Sequence, residues 1–320
     1  MTTLAGVDIG GTKCAVCVGE AQADEVRLLA KRRFPTPASP EQAILQVMAE
    51  LECLIQEIGE ARIAAIGISC GGPLDSRKGL VLSPPNLANW DRVDVVTPLR
   101  ERFGVPVGLQ NDANAAALAE WKWGAGRGCR NVIFLTFGTG MGAGLVLDGR
   151  LYAGTNDNAG EVGHIRLEPD GPVGYGKPGS FEGFCSGGGI AQLARTLAEP
   201  EIRRGNPPMF CERLADLPEV SAETVGSAAQ QGDPLALQVY DRVARQLGRG
   251  LAILVDVLNP ERIVIGSIYP RQRSLLEAKT IAVLAQEALP RALSVCQVVP
   301  AGLGESVGDL ASLSVALNQL

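Results

Sequence analysis

Leu4-Ala5-Gly6-Val7-Asp8-Ile9-Gly10-Gly11-Thr12-Lys13-Cys14-Ala15-Val16-Cys17-Val18 is two apolar runs joined by a polar, glycine-rich turn, which reads as a β-hairpin. A second stretch repeats the design: Val132 to Phe137 is a strand, Gly138-Thr139-Gly140-Met141-Gly142 a turn, and Gly144 to Leu147 a strand. Setting Asp8-Ile9-Gly10-Gly11-Thr12 over Thr136-Phe137-Gly138-Thr139-Gly140 superposes the two hairpins, so one β-glycine-β unit opens each half of the chain.

Glycines at strand turns beside a threonine and a lysine offer amides, a hydroxyl and a cation, which is what a polyphosphate requires. The familiar phosphate loops do not fit. Gly6-x4-Gly11-Thr12-Lys13 has the threonine and lysine reversed relative to a Walker A loop, and it continues as a strand where that loop needs a helix. Gly138-x-Gly140-x-x-Ala143 formally matches a dinucleotide fingerprint, but it too leads into a strand. What remains is a pair of related hairpins gripping a triphosphate from both sides, the logic of a duplicated actin-like, ribonuclease H-like ATPase fold with two domains flanking a catalytic cleft. Either hairpin alone is equally well read as an ordinary tight turn. The candidate phosphate contacts are Gly10, Gly11, Thr12, Lys13, Gly138, Thr139 and Gly140. Asp8, at the end of the first strand, is placed to hold magnesium through water, and Lys13 to act as a point charge rather than as a merely exposed hairpin lysine.

Outward from the first hairpin, a third strand follows at about 26–33, then Ser39-Pro40-Glu41-Gln42 opens an amphipathic helix carrying Ile44, Val47, Met48, Leu51, Leu54, Ile55 and Ile58. A strand at 62–69, a helix from about Thr97 to Phe103, a strand at 105–109 and a helix at 113–123 give an α/β domain with parallel pairing after an antiparallel opening. Long helices and buried strands alternate in the second half. The expected division is a smaller α/β domain at 1–115, a larger one at 116–303, and a terminal helix at about 304–320 packing back on the first.

The 320 residues hold 35 acids, 29 bases and one histidine, for a formal charge of −6. Such a balance offers no electrostatic footprint for nucleic acid or an anionic membrane. A two-histidine zinc protease site is excluded, and a Ser/His/Asp triad would have to use His164. The 39 glycines are roughly one residue in eight, where about one in fourteen is usual. The uncharged stretch 131–147 is too short to span a bilayer, and Asp8 and Lys13 interrupt the only early apolar segment that could serve as a signal peptide. Eight scattered cysteines, without disulfide-framework spacing, indicate reduced thiols and a cytoplasmic location.

Four further segments put amides or carboxylates beside glycine or at element ends: Gly71-Gly72-Pro73, Asn86-Leu87-Ala88-Asn89-Trp90, Asn111-Asp112-Ala113-Asn114 and Ala159-Gly160-Glu161-Val162-Gly163-His164. For Asp112 the alternative reading is a helix N-cap.

The sequence resembles the ROK family of repressors, open reading frames and sugar kinases. The matching motifs are VDIGGTK at 7–13, PPNLANW at 84–90, NDANAAALAE at 111–120, GAGRG at 124–128, TFGTGMGAG at 136–144, AGEVGH at 159–164 and LNPERIVIG at 258–266. The resemblance implies transfer of the ATP γ-phosphoryl to a hexose hydroxyl, usually at carbon 6, with magnesium as cofactor. It makes Asp112 the catalytic base and Asn86, Asn111, Glu161, His164 and Glu182 the sugar-binding residues, and it favours a homodimer. Substrates next in line are N-acetylhexosamines such as N-acetylmannosamine or N-acetylglucosamine. A non-catalytic sugar-binding relative is a further alternative. A repressor would need a helix-turn-helix ahead of a phosphate strand that begins at Leu4.

One departure stands out. After His164 the family pattern supplies three cysteines for structural zinc, and here Val173, Tyr175 and Ser180 occupy those positions while Glu182 is kept. Cys185 alone cannot restore four ligands, and Cys14 and Cys17, three apart on a strand, point to opposite faces. The expectation is therefore no zinc, with the loop held by packing of Tyr175, Pro178 and Phe181.

Overall fold

The structure is a computed structural model that describes residues 1–22, 24–59 and 62–320. The chain forms two compact units. The first comprises Met1–Phe134, Gly144–Ala159 and Gly302–Leu320, and the second Leu135–Ala143 and Gly160–Ala301.

In the first unit β1 (Thr2–Ile9) and β2 (Lys13–Ala21) are the arms of the opening hairpin, and β3 (Val26–Pro35) extends it. Next comes α1 (Pro40–Glu57), started as its sequence predicts by Ser39, whose side chain accepts the Gln42 amide at 3.3 Å. Then follow β4 (Ala65–Cys70), a small sheet of β5 (Leu74–Asp75), β6 (Leu80–Val81) and β7 (Val93–Asp94), and α2 (Thr97–Phe103). The unit continues with β8 (Val107–Asn111), α3 (Asp112–Trp123), β9 (Val132–Leu135), β10 (Ala143–Leu147) and β11 (Arg150–Leu151). The main sheet has the order β3-β2-β1-β4-β8, antiparallel across the hairpin strands and parallel from β1 through β4 to β8. Strand β8 lies two residues later than its sequence suggests. Pro106 has no amide to give the ladder, and pairing begins at Val107.

The two faces of this sheet follow from side-chain alternation. Val7, Ile9, Cys14, Val16, Ile66, Ile68 and Leu109 join α1 residues Val47, Leu51 and Leu54 in one core cluster. Leu4, Cys17 and Ala65 face the other way, with Leu313 and Ala316 of the terminal helix Val307–Leu317. On that second face Gly6, Gly67 and Gly108 stand in register as one row. A Cβ on any of the three would collide: with Ser312 at Gly6, with the backbone at Ser312 and Ala316 at Gly67, and with Gln319 at Gly108. Three consecutive missing side chains form the trough in which the terminal helix lies. An ion pair from Lys31 to Asp309 fastens the helix at its start. Where the chain returns to this unit, buried Glu120 of α3 accepts the amides of Ala125 at 2.7 Å, Gly302 at 3.1 Å and Leu303 at 3.0 Å.

The second unit contains the hairpin β12 (Val173–Gly174) and β13 (Lys177–Pro178), then the short α4 (Phe181–Phe184), α5 (Gly187–Arg203), α6 (Ala222–Gln230) and α7 (Pro234–Leu258). It ends with β14 (Arg262–Ile265), α8 (Ile268–Arg271), α9 (Arg273–Glu287), α10 (Pro290–Leu293) and β15 (Gln297–Pro300). Strands β14 and β15 pair in parallel. Asp233 caps α7 by accepting the Ala236 amide at 2.8 Å, Pro234 follows in the first turn, and Asn259 ends the helix in the left-handed region.

Candidate active site

In the first unit the site residues gather at the carboxyl ends of the parallel strands, the edge where α/β sheets bind ligands. Ile9, Cys70 and Asn111 are in register there, one position beyond the row of Asp8, Ser69 and Gln110. Asp8 lies on the terminal-helix face of the sheet. Its pKa is pushed up to about 6, mainly by burial, then by the charges of Asp112 and Asp309, with Lys31 and Arg33 opposing. Among the described residues no hydrogen bond or ion pair holds this carboxylate.

Asn111 ends β8, and its side-chain oxygen accepts the Asn114 amide at 2.7 Å. Asn111 is therefore the N-cap of α3, and Asp112 is its first helical residue, which removes the capping explanation for Asp112. The Asp112 carboxylate accepts the Ala113 amide at 2.9 Å. Asp112 remains open to solvent, yet enough protein surrounds its carboxyl for desolvation to raise the pKa, with the backbone hydrogen bonds opposing.

The first glycine turn exposes Gly11, Thr12 and Lys13, and the Gly10 amide donates to the Lys13 carbonyl at 3.1 Å. Gly11 has a steric duty besides: a Cβ would strike the Asn86 carbonyl, so the bare turn lets the 84–90 loop approach. Asn86 is itself exposed, on a loop anchored by the buried Trp90 and Leu87.

In the second unit the other glycine turn is braced by Thr136, whose hydroxyl accepts the Gly142 amide at 2.9 Å. The Gly138 amide donates to the Gly140 carbonyl at 3.1 Å, and the Gly138 carbonyl accepts the Gly187 amide at 2.8 Å. Thr139 is exposed at the tip. Glu182, in the first turn of α4, accepts the Met141 amide at 3.0 Å. Exposed Glu161 precedes a 3-10 turn, Val162–His164.

The His164 loop departs from its expectation in how it is held. Phe181 is fully buried, but Tyr175 is 75 % exposed and Pro178 is exposed too, so packing by these two does not fix the segment. Polar contacts do. Lys177 donates to the His164 carbonyl at 2.7 Å, and the Gln192 amide pairs with both the amide and the carbonyl of Val173 at 3.0 Å. Arg166 donates to the carbonyls of Pro169 at 3.2 Å and Pro178 at 2.8 Å. The Tyr175 ring meets His164 edge-on at 5.4 Å. Ser180 spends its hydroxyl on capping α4 through the Gly183 amide at 3.0 Å. Sequence reasoning missed Lys177, Arg166 and Gln192 because nothing in a lone lysine, arginine or glutamine marks it as a carbonyl clamp. Among the described residues no cluster of three or more His, Cys, Asp or Glu is placed to hold a metal ion. Cys14 and Cys17 do enter different core clusters, and Cys185 is buried with its thiol directed to the Val243 carbonyl at 3.6 Å.

The fold is the actin-like ATPase fold of the sugar kinases, and the chain is of that class. The chain belongs to the ROK family, which it matches over residues 4–318. It is 32 % identical to the glucokinase of Thermotoga maritima over 315 residues, 98 % of this chain and 96 % of that one. Among solved structures, a ROK family glucokinase from Streptomyces griseus, in complex with glucose and AMPPNP, superposes with a TM-score of 0.74 at 30 % identity, covering 99 % of each chain. A ROK family transcriptional regulator homologous to the MLC protein of E. coli superposes with a TM-score of 0.84 at 26 % identity, covering 99 % of this chain and 78 % of that one.

Proposed function

We propose that this ROK protein is an ATP-dependent hexose kinase, with the 6-hydroxyl of glucose as its first acceptor. The observation that carries the reading is Asp112: Asn111 has taken the cap, so the adjoining carboxylate is not needed there and spends a bond only on the Ala113 amide. Desolvation raises its proton affinity, which suits a base that accepts the hydroxyl proton. The sugar oxygen forms a bond to the γ-phosphorus, the bond from that phosphorus to the β,γ-bridging oxygen breaks, ADP leaves, and the proton passes to Asp112. Because such transition states are loose, Asp112 serves mainly to orient the oxygen. Gly10, Gly11, Thr12 and Lys13, with Gly138, Thr139 and Gly140, supply amides, hydroxyls and one cation for the phosphates. Asn86, Asn111, Glu161, His164 and Glu182 supply the directional partners for sugar hydroxyls.

Magnesium fits Asp8. A carboxylate with a raised pKa and no partner, near a second carboxylate, is relieved by a divalent cation. The bound ion would neutralise charge on the phosphates. Structural zinc does not fit: His164 is joined by Val173, Tyr175 and Ser180, and only the histidine is a zinc ligand. We infer that the loop works without zinc, and the clamps at Lys177, Arg166 and Gln192 support this reading.

The test is coupled ADP release over a panel of hexoses and N-acetylhexosamines, with Asp112→Asn as control. Turnover that depends on one sugar and collapses in the variant is expected. No turnover on any sugar, or turnover undiminished in Asp112→Asn, would point to a non-catalytic sugar-binding protein. The formal charge of −6 favours no nucleic-acid partner, and no helix among the described residues is long and apolar enough to cross a membrane. Homodimer formation in the cytoplasm completes the reading, and light scattering on the purified protein checks its oligomeric half.

A further inference from the structure

One peptide group joins the turn that carries phosphate contacts to the carboxylate assigned to the sugar. Glu182 Oε2 accepts the Met141 amide at 3.0 Å, and a methyl added at Gly140 would lie 2.9 Å from that same oxygen. The Met141 carbonyl is engaged from another side by Gly163, the neighbour of His164, which packs on it with no room for a Cβ. A Cβ there would also come within 3.1 Å of Glu182 Cβ. Met141 is only 4 % exposed.

The segments that flank the two partners are anchored. Behind Glu182, Ser180 caps α4, and the buried Phe181 ring packs on Gly250 of α7 where a Cβ would collide with it. Around Met141, the Thr136 hydroxyl holds Gly142 and the Gly187 amide holds Gly138, which anchors the ends of the turn and leaves exposed Thr139 at its tip. With Oε2 on Met141, Glu182 has Oε1 to offer a ligand hydroxyl.

We propose that the Met141 peptide is a joint that couples sugar occupancy to the order of the phosphate-binding turn, with Glu182 as the positioning residue that transmits it. The inference rests on the sugar and phosphate roles proposed above. A sugar hydroxyl donating to Oε1 fixes the carboxylate, the carboxylate fixes the Met141 amide, and the amides from Gly138 to Gly140 are then ordered before nucleotide arrives. Nucleotide binding loses less conformational freedom in consequence, and linkage requires the same factor in the other direction.

The experiment is calorimetric titration of magnesium and the β,γ-imido analogue of ATP into the protein with and without saturating glucose, and of glucose with and without the analogue. Wild type is expected to show equal, reciprocal tightening of about tenfold. Gly140→Ala displaces only the end of a flexible side chain, so the fold survives, and the tightening should shrink to within about twofold even where binary nucleotide affinity also drops. Glu182→Asp, one methylene too short to serve both ligands, should lose it as well. Additive binding in wild type, or full tightening in both variants, overturns the joint while leaving the kinase reading intact. A wild type that binds neither ligand overturns both.

Discussion

The Asn111 side-chain oxygen accepts the Asn114 amide at 2.7 Å, and this one hydrogen bond decides how Asp112 is read. The amide side chain starts the helix, and the carboxylate proposed above as the base is not its cap. Asp112→Asn should therefore lower kcat by about 10²–10⁴-fold without loss of helix or stability. Asn111→Ala should cost about 1 kcal/mol of stability through the lost cap. Steady-state kinetics beside thermal melts separates the two, and a destabilised Asp112→Asn with normal kcat would reverse the assignment.

Asp8 gives a pH dependence of defined sign. Its carboxyl holds a proton more tightly in the fold, up to about 6 against 3.8, because of burial and the neighbouring Asp112 and Asp309. The stability it contributes is full below pH 3.8 and is lost as pH rises through about 6. Asp8→Asn should accordingly stabilise the ligand-free protein at pH 7.5 by about 1–2 kcal/mol, with the gain gone near pH ~4, while phosphoryl transfer falls sharply. Urea unfolding at the two pH values checks this; a variant no more stable than wild type at pH 7.5 contradicts it.

The glycine trough is a packing requirement. Gly67→Ala places a methyl against the terminal-helix backbone at Ser312 and Ala316, which cannot swing aside as a side chain can. A loss of about 3 kcal/mol or more is expected. Gly71→Ala, where the methyl meets nothing within 4 Å, is the control and should leave the melting temperature unchanged.

The His164 loop should be indifferent to chelators. Incubation with EDTA, followed by removal of the chelator and assay in excess magnesium, is expected to leave melting temperature and sugar KM unaltered, and stoichiometric zinc by elemental analysis would refute the zinc-free reading. Gln192→Leu, which removes both contacts to Val173, should raise sugar KM several-fold with kcat nearly preserved. His164→Ala should also raise sugar KM without unfolding the protein.

Much of the fold was legible because its signals are local. The opening hairpin, the Ser39 cap with Pro40, and the run from Pro234 to Leu258 are written in alternation, capping chemistry and helical spacing, and the structure follows them within three residues. The start of α3 was read one residue late, with Asp112 as its possible cap, because asparagine and aspartate cap equally well and only backbone geometry decides which one is helical. The loop after His164 was misread in its support, since exposure of Tyr175 and Pro178 depends on neighbours far along the chain.

By itself the sequence determined the two glycine turns, the pattern of strands and helices, and which side chains are capable of the chemistry. Tertiary structure alone decided that Gly6, Gly67 and Gly108 stand in one row, that Glu120 ties the end of its own helix to the distant Gly302 and Leu303, and that Glu182 reaches Met141. The physical reason is range: propensity, capping and periodicity act over a few residues, whereas register and side-chain contact depend on where separate segments meet.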